Sequence, residues 1–452
     1  MTAIDPMWAW DHYEPTTTDP WTIRQATHLY RRAGFGGNHE QIQQAIERGL
    51  ETSLQQLLVG NHESPAFQAE MAGMTRTLVS NGNLQSLATG WLYRMLRTSD
   101  QLHEKTTLLW HGHFATSADK VQDAFMMQQQ NDLLRKHAVG DFNKMVHGIS
   151  QNPAMLLYLD SANNRKTHPN ENYARELMEL FCLGEGQYSE QDIRELARCF
   201  TGWEVRNRAY RFNRYQHDFG EKAFLGTRGK LTGEEAVDHV LKQPAAPLFI
   251  ARKLVHYFVI DEPVTQEDLL APLARQLRKD DFNLVNTIRT ILSSNLFYSS
   301  HAIARKIKSP VEMIIGTMRA LSMTSNLGDL SNGLQQLGHG VFFPPNVKGW
   351  DGGRTWINSS TLLGRSNLIY ELLHHEKTSF DGGSLQSLLA KQGKESLLAA
   401  ADFFVDMLCA VPLAADTRNQ IIGYARTDGG DREQQLKSIL HQIATIPQFQ
   451  LG

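Results

Sequence analysis

The sequence predicts an almost wholly α-helical protein: one large helical domain with a small β-hairpin insertion and a long loop rich in Gly, Pro and Trp. Three observations predict it. Apolar residues recur at helical spacing through most of the 452 residues, between recognisable helix start and stop residues. Strand-like alternation is confined to residues 203–231, and no strand–helix alternation signals a parallel sheet. One further stretch, 338–367, is too rich in Gly, Pro and Asn to be regular, yet it carries Phe342, Phe343, Trp350 and Trp356.

Taken in order, residues 1–19 read as an irregular arm with exposed aromatics, Trp8, Trp10 and Tyr13, and the helical domain spans 20–452. A helix from Trp21 to Arg32 stops at Gly34, Gly36 and Gly37 and places His28 and Arg31 on one face. Residues 84–117 form a long helical stretch broken near Thr98-Ser99-Asp100. In its second half Glu104, Leu108 and His111 share a face, and Leu109, Trp110 and Phe114 point elsewhere. A helix apolar around much of its girth is buried, so Glu104 and His111 need partners or a metal. His113 lies about 200° round the helix from His111, and only a break at Gly112 would bring the rings together.

The densest run of polar residues is 151–204. Asn170 caps a helix running to about Leu183, with Gly184 as its left-handed terminator, and Ser189 and Asp192 start a second. Asn172, Arg175, Glu176 and Glu179 then form one stripe, against Tyr173, Leu177, Leu180 and Phe181. The stripe reads equally as a solvated face with ordinary Glu/Arg pairs. Next, Arg206, Arg208, Arg211 and Arg214 interleave with Tyr210, Phe212 and Tyr215. This is a solvent-facing hairpin or a cationic lip for an anion, and His217, Asp218 and Lys222 beside it fit a polar turn or a site edge. Residues 234–322 read as helices with short links, Pro310 opening one of them. The aromatic loop 338–367 either rims a pocket or is pinned to the core by its own tryptophans, and a closing helical layer follows over 384–443.

Six of these stretches, in order, resemble the bacterial family called "domain of unknown function 1800": HLYRRAGFG (28–36), EKTTLLWHGHFATS (104–117), NENYARELMELFCLGEGQYSEQDIRELARCFTGW (170–203), HDFGEKAFLG (217–226), KSPVEMIIGTMRAL (308–321) and FFPPNVKGWDGGRTWINSSTLLGRSN (342–367). The ending IPQFQL (446–451) is similar too. The resemblance brings no activity to carry over. It implies relatives that are often exported and often encoded beside a second family with a sulfatase-like fold.

Composition narrows the function. A net charge of −3 without long single-sign runs argues against nucleic acid and anionic membranes, and no apolar run is long enough to span a bilayer. The first residues show no export signal, so the sequence as it stands is expected in the cytoplasm, or in the periplasm or outside the cell if a signal has been removed. The three cysteines read as core residues rather than a bridge. No P-loop, dinucleotide fingerprint, zincin helix or nucleophile elbow is present.

Three classes of function remain. The first is an enzyme, a hydrolase or oxidoreductase, with a divalent metal between two helices: Glu104, His111, Glu176 and Glu179 as ligands, and Glu176, His111 and Arg175 as catalytic groups. Asn172, His217 and Lys222 would contact a substrate, together with Trp350, Trp356, Asn358 and Arg365 of the loop and its exit. The second is an adaptor without catalysis, whose 206–222 arm and 342–358 loop contact the sulfatase-like protein; the third is a carbohydrate-binding module using Trp350 and Trp356, and an anionic small molecule at the cationic lip is the remaining partner expected.

Overall fold

Capping chemistry sets the helix boundaries. Asn38, Ser189, Thr232, Ser309, Asn358 and Asp431 each close a reciprocal capping box with the residue three positions on. The structure, a computed structural model, describes residues 4–60, 63–262, 266–427 and 429–452, so the first three residues of the arm lie outside it. Among the described residues there are 25 α-helices and three two-stranded antiparallel sheets, which is the mainly α architecture expected. No described helix is long and apolar enough to cross a membrane.

The small sheets differ in detail from the expectation of one hairpin. Trp203–Arg206 pairs with Ala209–Phe212 across Asn207 and Arg208, both at positive φ, as a tight two-residue turn requires. A second hairpin, Lys222–Phe224 with Thr227–Gly229, turns at Leu225 and Gly226. The third pair, Met323–Thr324 with Ser379–Phe380, joins segments distant in sequence. The arm is not wholly exposed either. Residues Pro6–Trp10 form a short helix, the Trp10 indole donates to the Leu269 carbonyl at 2.6 Å, and Tyr13 is buried, stacked on Tyr298. Trp8 does stay exposed.

One continuous hydrophobic core runs from Ala9 to Phe449. In its middle the Gln101–His113 helix packs against Ile23–Ala33, Leu84–Arg97 and Ala124–His137. At the C-terminal end Arg432–Thr445 is the axis on which Ser359–His374, Leu385–Lys391, Leu397–Leu408 and Ala415–Thr427 pack. Leu397–Leu408 fastens this layer to the rest, resting on Ile23–Ala33 and Pro310–Ala320. The three cysteines are buried and unpaired.

Candidate functional site

Glu104 is buried as expected, but its partners are cations and an indole. Arg135 grips it in a bidentate ion pair, Trp91 Nε1 donates to Oε2 at 2.9 Å, and Arg94 stands 4.0 Å away. Burial alone would raise the pKa of this carboxyl, and the opposing pull of Arg135 and Arg94 keeps it below its ordinary value. His111 accepts a hydrogen bond from the Phe342 N–H at 3.0 Å, with the Trp91, Phe342 and Trp350 rings around it. The helix runs unbroken to His113, so His113 does point elsewhere: its Nε2 donates to the Phe181 carbonyl at 2.9 Å. Burial pushes both imidazoles down to about 3, with His339 adding to the effect on His111 and Lys253 to that on His113.

The 172–179 stripe does not meet Glu104 or His111, which corrects the expected four-ligand cluster. The Asn170 side chain does meet the helix start, accepting from the Asn172 N–H at 2.9 Å, although the N-cap is Glu171, one residue later than expected. After Glu176, however, the helix widens to a π turn over Leu177–Cys182, with Leu183 N–H reaching Met178 C=O. A stripe extrapolated at 3.6 residues per turn cannot hold through it. Asn172 is exposed, with its side chain donating to the Leu159 carbonyl, and Arg175 forms a forked surface pair with Glu190. Glu179 accepts from the Tyr188 hydroxyl at 2.8 Å. Glu176 is half-buried, its pKa raised by burial and then by Glu179, against Arg175 and Lys348. Among the described residues no group of three or more His, Cys, Asp or Glu is placed to hold a metal ion.

The structure instead assembles a cleft of about 310 Å³ where five segments meet. Its floor is Leu108, Leu109, Gly112 and His113 of the Gln101–His113 helix, with Leu180 from the π turn. One wall is Lys253, His256 and Tyr257 of the Ala245–Phe258 helix. The other is the aromatic loop, through His339, Lys348, Trp350, Asp351 and Trp356. Both expected roles of that loop hold at once. Trp350 lines the cleft while its ring lies against His111 of the core helix, centroids 5.7 Å apart, and Trp356 lines it while stacked on His339, centroids 4.8 Å apart. Phe342 is sealed between Trp91 and His111, and Phe343 lies off the cleft. A glycine pair lets the loop sit this low. Gly349 has φ +78°, and a Cβ there would stand 2.0 Å from the Gly112 carbonyl oxygen.

Beneath the cleft lies a buried charged centre. Ser309 and Glu312 form the capping box of Pro310–Ala320, and the second Glu312 oxygen takes the ammonium of Lys105, which lies over the Phe35 and Tyr257 rings. Lys306 pairs with Asp261 at 2.6 Å, and Asp261 also accepts from the Ile307 N–H. Burial works against ionising Glu312, but Lys105 and then Lys306 hold its carboxyl well below the usual range. His256 is kept neutral by burial first and by Lys306 second. Sequence reasoning passed over all of these residues. The signal was present in lysines set inside apolar helical runs, TTLLWHGHF behind Lys105 and FIARKLVHYF around Lys253.

The remaining expected substrate residues, apart from the two tryptophans, are engaged by protein groups. His217 donates Nδ1 to the Thr201 carbonyl at 2.8 Å, and the Lys222 ammonium is spent on the Asp218 and Leu231 carbonyls, so this is the polar turn rather than a site edge. Asn358 caps Ser359–His374. Arg365 is buried against Gln450 Oε1 and the Lys308 carbonyl.

Among known families, the one described as "Protein of unknown function (DUF1800)" matches residues 28–451, nearly the whole chain, and the chain belongs to it. No curated protein and no solved structure matches at a significant level.

Proposed function

We propose that this member of the DUF1800 family binds a small organic anion with a flat or sugar-like body in the cleft between Trp350, Trp356 and Lys253. The observation that carries the reading is Lys253. Its ammonium lies 5.3 Å over the Phe249 ring, burial lowers its pKa, and no carboxylate or hydrogen-bond acceptor among the described residues engages it. A cation held part-way out of water beside two tryptophans is arranged to meet a ligand's negative group while its apolar body lies on the rings. Lys348 at the rim adds attraction, and the neutral imidazoles of His256 and His339 supply polar contacts without repelling or discharging the anion. The enzyme reading moves with the site. Any proton transfer here would use an imidazole beside Lys253 rather than a metal held by Glu104, His111, Glu176 and Glu179.

The test is calorimetric titration of the whole chain with aromatic carboxylates, sugar phosphates and sulfated sugars. One class should bind, Lys253→Met should weaken it at least about tenfold, and Trp350→Ala should do so comparably, because each removes one half of the recognition. Failure of every class, or undiminished binding by Lys253→Met, would overturn the reading.

The adaptor reading has one observation in its favour. The first hairpin and the turn after it expose Phe212, Tyr215 and Phe219 beside Arg206, Arg211 and Arg214, all uncovered. Capture of the sulfatase-like protein by the wild type but not by a Tyr215→Ser/Phe219→Ser variant would support it, and equal capture would dismiss it.

A further inference from the structure

A separate cavity lies on the far side of the charged centre, between Ile23–Ala33, the 306–309 segment, Pro310–Ala320 and Leu397–Leu408. We propose that this cavity holds a single small inorganic anion of about chloride size, bound by Arg31 with Arg32 and Lys308.

Arg31 lines the cavity without an acceptor among the described residues. The residue as a whole keeps some exposure, but its three guanidinium nitrogens are sealed from solvent and no atom of the described residues accepts from any of them. Arg32 repeats the pattern in part. Its Nη2 donates to the Val259 and Ala302 carbonyls, while Nε and Nη1 are sealed without an acceptor. Lys308 donates to the Leu408 and Phe449 carbonyls at 2.7 Å each and lies over the Phe449 ring, which leaves a third N–H and, among the described residues, no carboxylate paired with its charge.

The carboxylates nearby are already committed, Glu312 to Lys105 and Asp261 to Lys306. The acidic group whose charge would act on Arg31 is the Cys409 thiol, itself pushed up to about 11 by burial and therefore neutral. Lys308 can escape by losing its proton, since burial and then Arg31 push it down to about 7. Arg31 cannot, because its lowered value of about 10 still leaves it charged at neutral pH.

Size and wall chemistry select the ligand. The volume of about 30 Å³ is enough for one or two water-sized particles and too small for an organic ligand. Phe35, Met313, Ala320, Met407 and Leu408 make much of the wall apolar, and the Glu312 carboxylate that also lines it is paired with Lys105, so a single anion would meet the cations at low dielectric. The site is independent of the cleft, from which Lys306 and Glu312 separate it as shared lining. It also gives a role to Arg31 and Arg32 of the HLYRRAGFG stretch, which the cleft does not use.

The experiment compares the whole chain in sodium bromide and in sodium gluconate at equal ionic strength, gluconate being too large to enter. The melting temperature should rise by about 3 °C in bromide and saturate with its concentration, as expected for a ligand well above its Kd. Arg31→Met and Arg31→Gln should both lose the shift, and Lys253→Met should keep it, which separates failure here from failure of the cleft reading. Anomalous diffraction from bromide-soaked wild-type crystals should show a peak in contact with the Arg31 guanidinium. Equal melting in the two salts, a shift surviving in both Arg31 variants, or crystals without that peak would overturn the proposal.

Discussion

Replacing Glu104 by Ala should cost the protein about 4 kcal/mol of stability, and the structure says where the cost arises. The side chain is 3% exposed and its bidentate partner Arg135 is 18% exposed, so removing the carboxylate strands a largely buried guanidinium. Breaking a buried ion pair in this way costs roughly 3–5 kcal/mol. Arg135 retains Asp132 at 2.9 Å and Asn131 at 2.6 Å, which places its share near the low end, about 3 kcal/mol. The Trp91 indole N–H loses its acceptor as well, adding about 1 kcal/mol. The assay is urea unfolding followed by circular dichroism, with Glu104→Met/Arg135→Met as the second arm. The cost lies in the stranded charge, so the double variant should return to within about 1 kcal/mol of wild type. Glu176→Ala is the contrast: its raised pKa marks a carboxyl that the fold disfavours, and its loss should be neutral or mildly stabilising. A Glu104→Ala cost under about 1 kcal/mol, or a double variant as damaged as the single, would refute the reasoning.

Three further outcomes are expected. His111, His113 and His339 have folded pKa values of about 3, against 6.5 unfolded; between these the unfolded chain binds more protons, so stability falls as pH drops from 6.5 toward 3. The three together should remove about 6 kcal/mol between pH 7 and 5, read as a fall in the urea midpoint, and an unchanged midpoint would contradict their burial as neutral rings. Gly349→Ala should cost more than about 2 kcal/mol and increase acrylamide quenching of tryptophan fluorescence, because a Cβ there collides with the Gly112 carbonyl and must lift the loop off its helix. Asn358→Ala should cost about 1 kcal/mol by unfolding and leave ligand titrations unchanged, as befits a helix cap.

Periodicity and capping made the fold legible. Gly184 and the Ser189/Asp192 box stand where their chemistry placed them, Asn170 lies one residue ahead of the N-cap, and the alternation after Trp203 became a hairpin. The π turn at Leu177–Cys182 was not legible, because a widened turn is chosen by tertiary packing and leaves no composition of its own. The arm was misread for a similar reason. Trp10 and Tyr13 carry no periodic pattern, and only the distant Leu269 carbonyl and Tyr298 ring show that they dock.

The site was legible in its stretches and illegible in its pairings. The aromatic loop and the Gln101–His113 helix were both singled out, and both line the cleft. The choice of partners failed because a buried carboxylate and a stripe of carboxylates look complementary in one dimension only if a cation is imagined between them. The fold supplied protein cations instead, Arg135 for Glu104 and Lys105 for Glu312. Lys105 lies one position after Glu104, so on a helix the two point about 100° apart and serve different clusters. That single step turns the carboxylate toward Arg135 and the ammonium toward the centre where Arg31, Arg32, Lys306, Lys308 and Arg365 also gather. Six cations around the two carboxylates of Asp261 and Glu312 are more than capping and packing call for. A sequence whose overall charge is nearly balanced has thus concentrated its positive charge indoors, where a bound anion gains most from it.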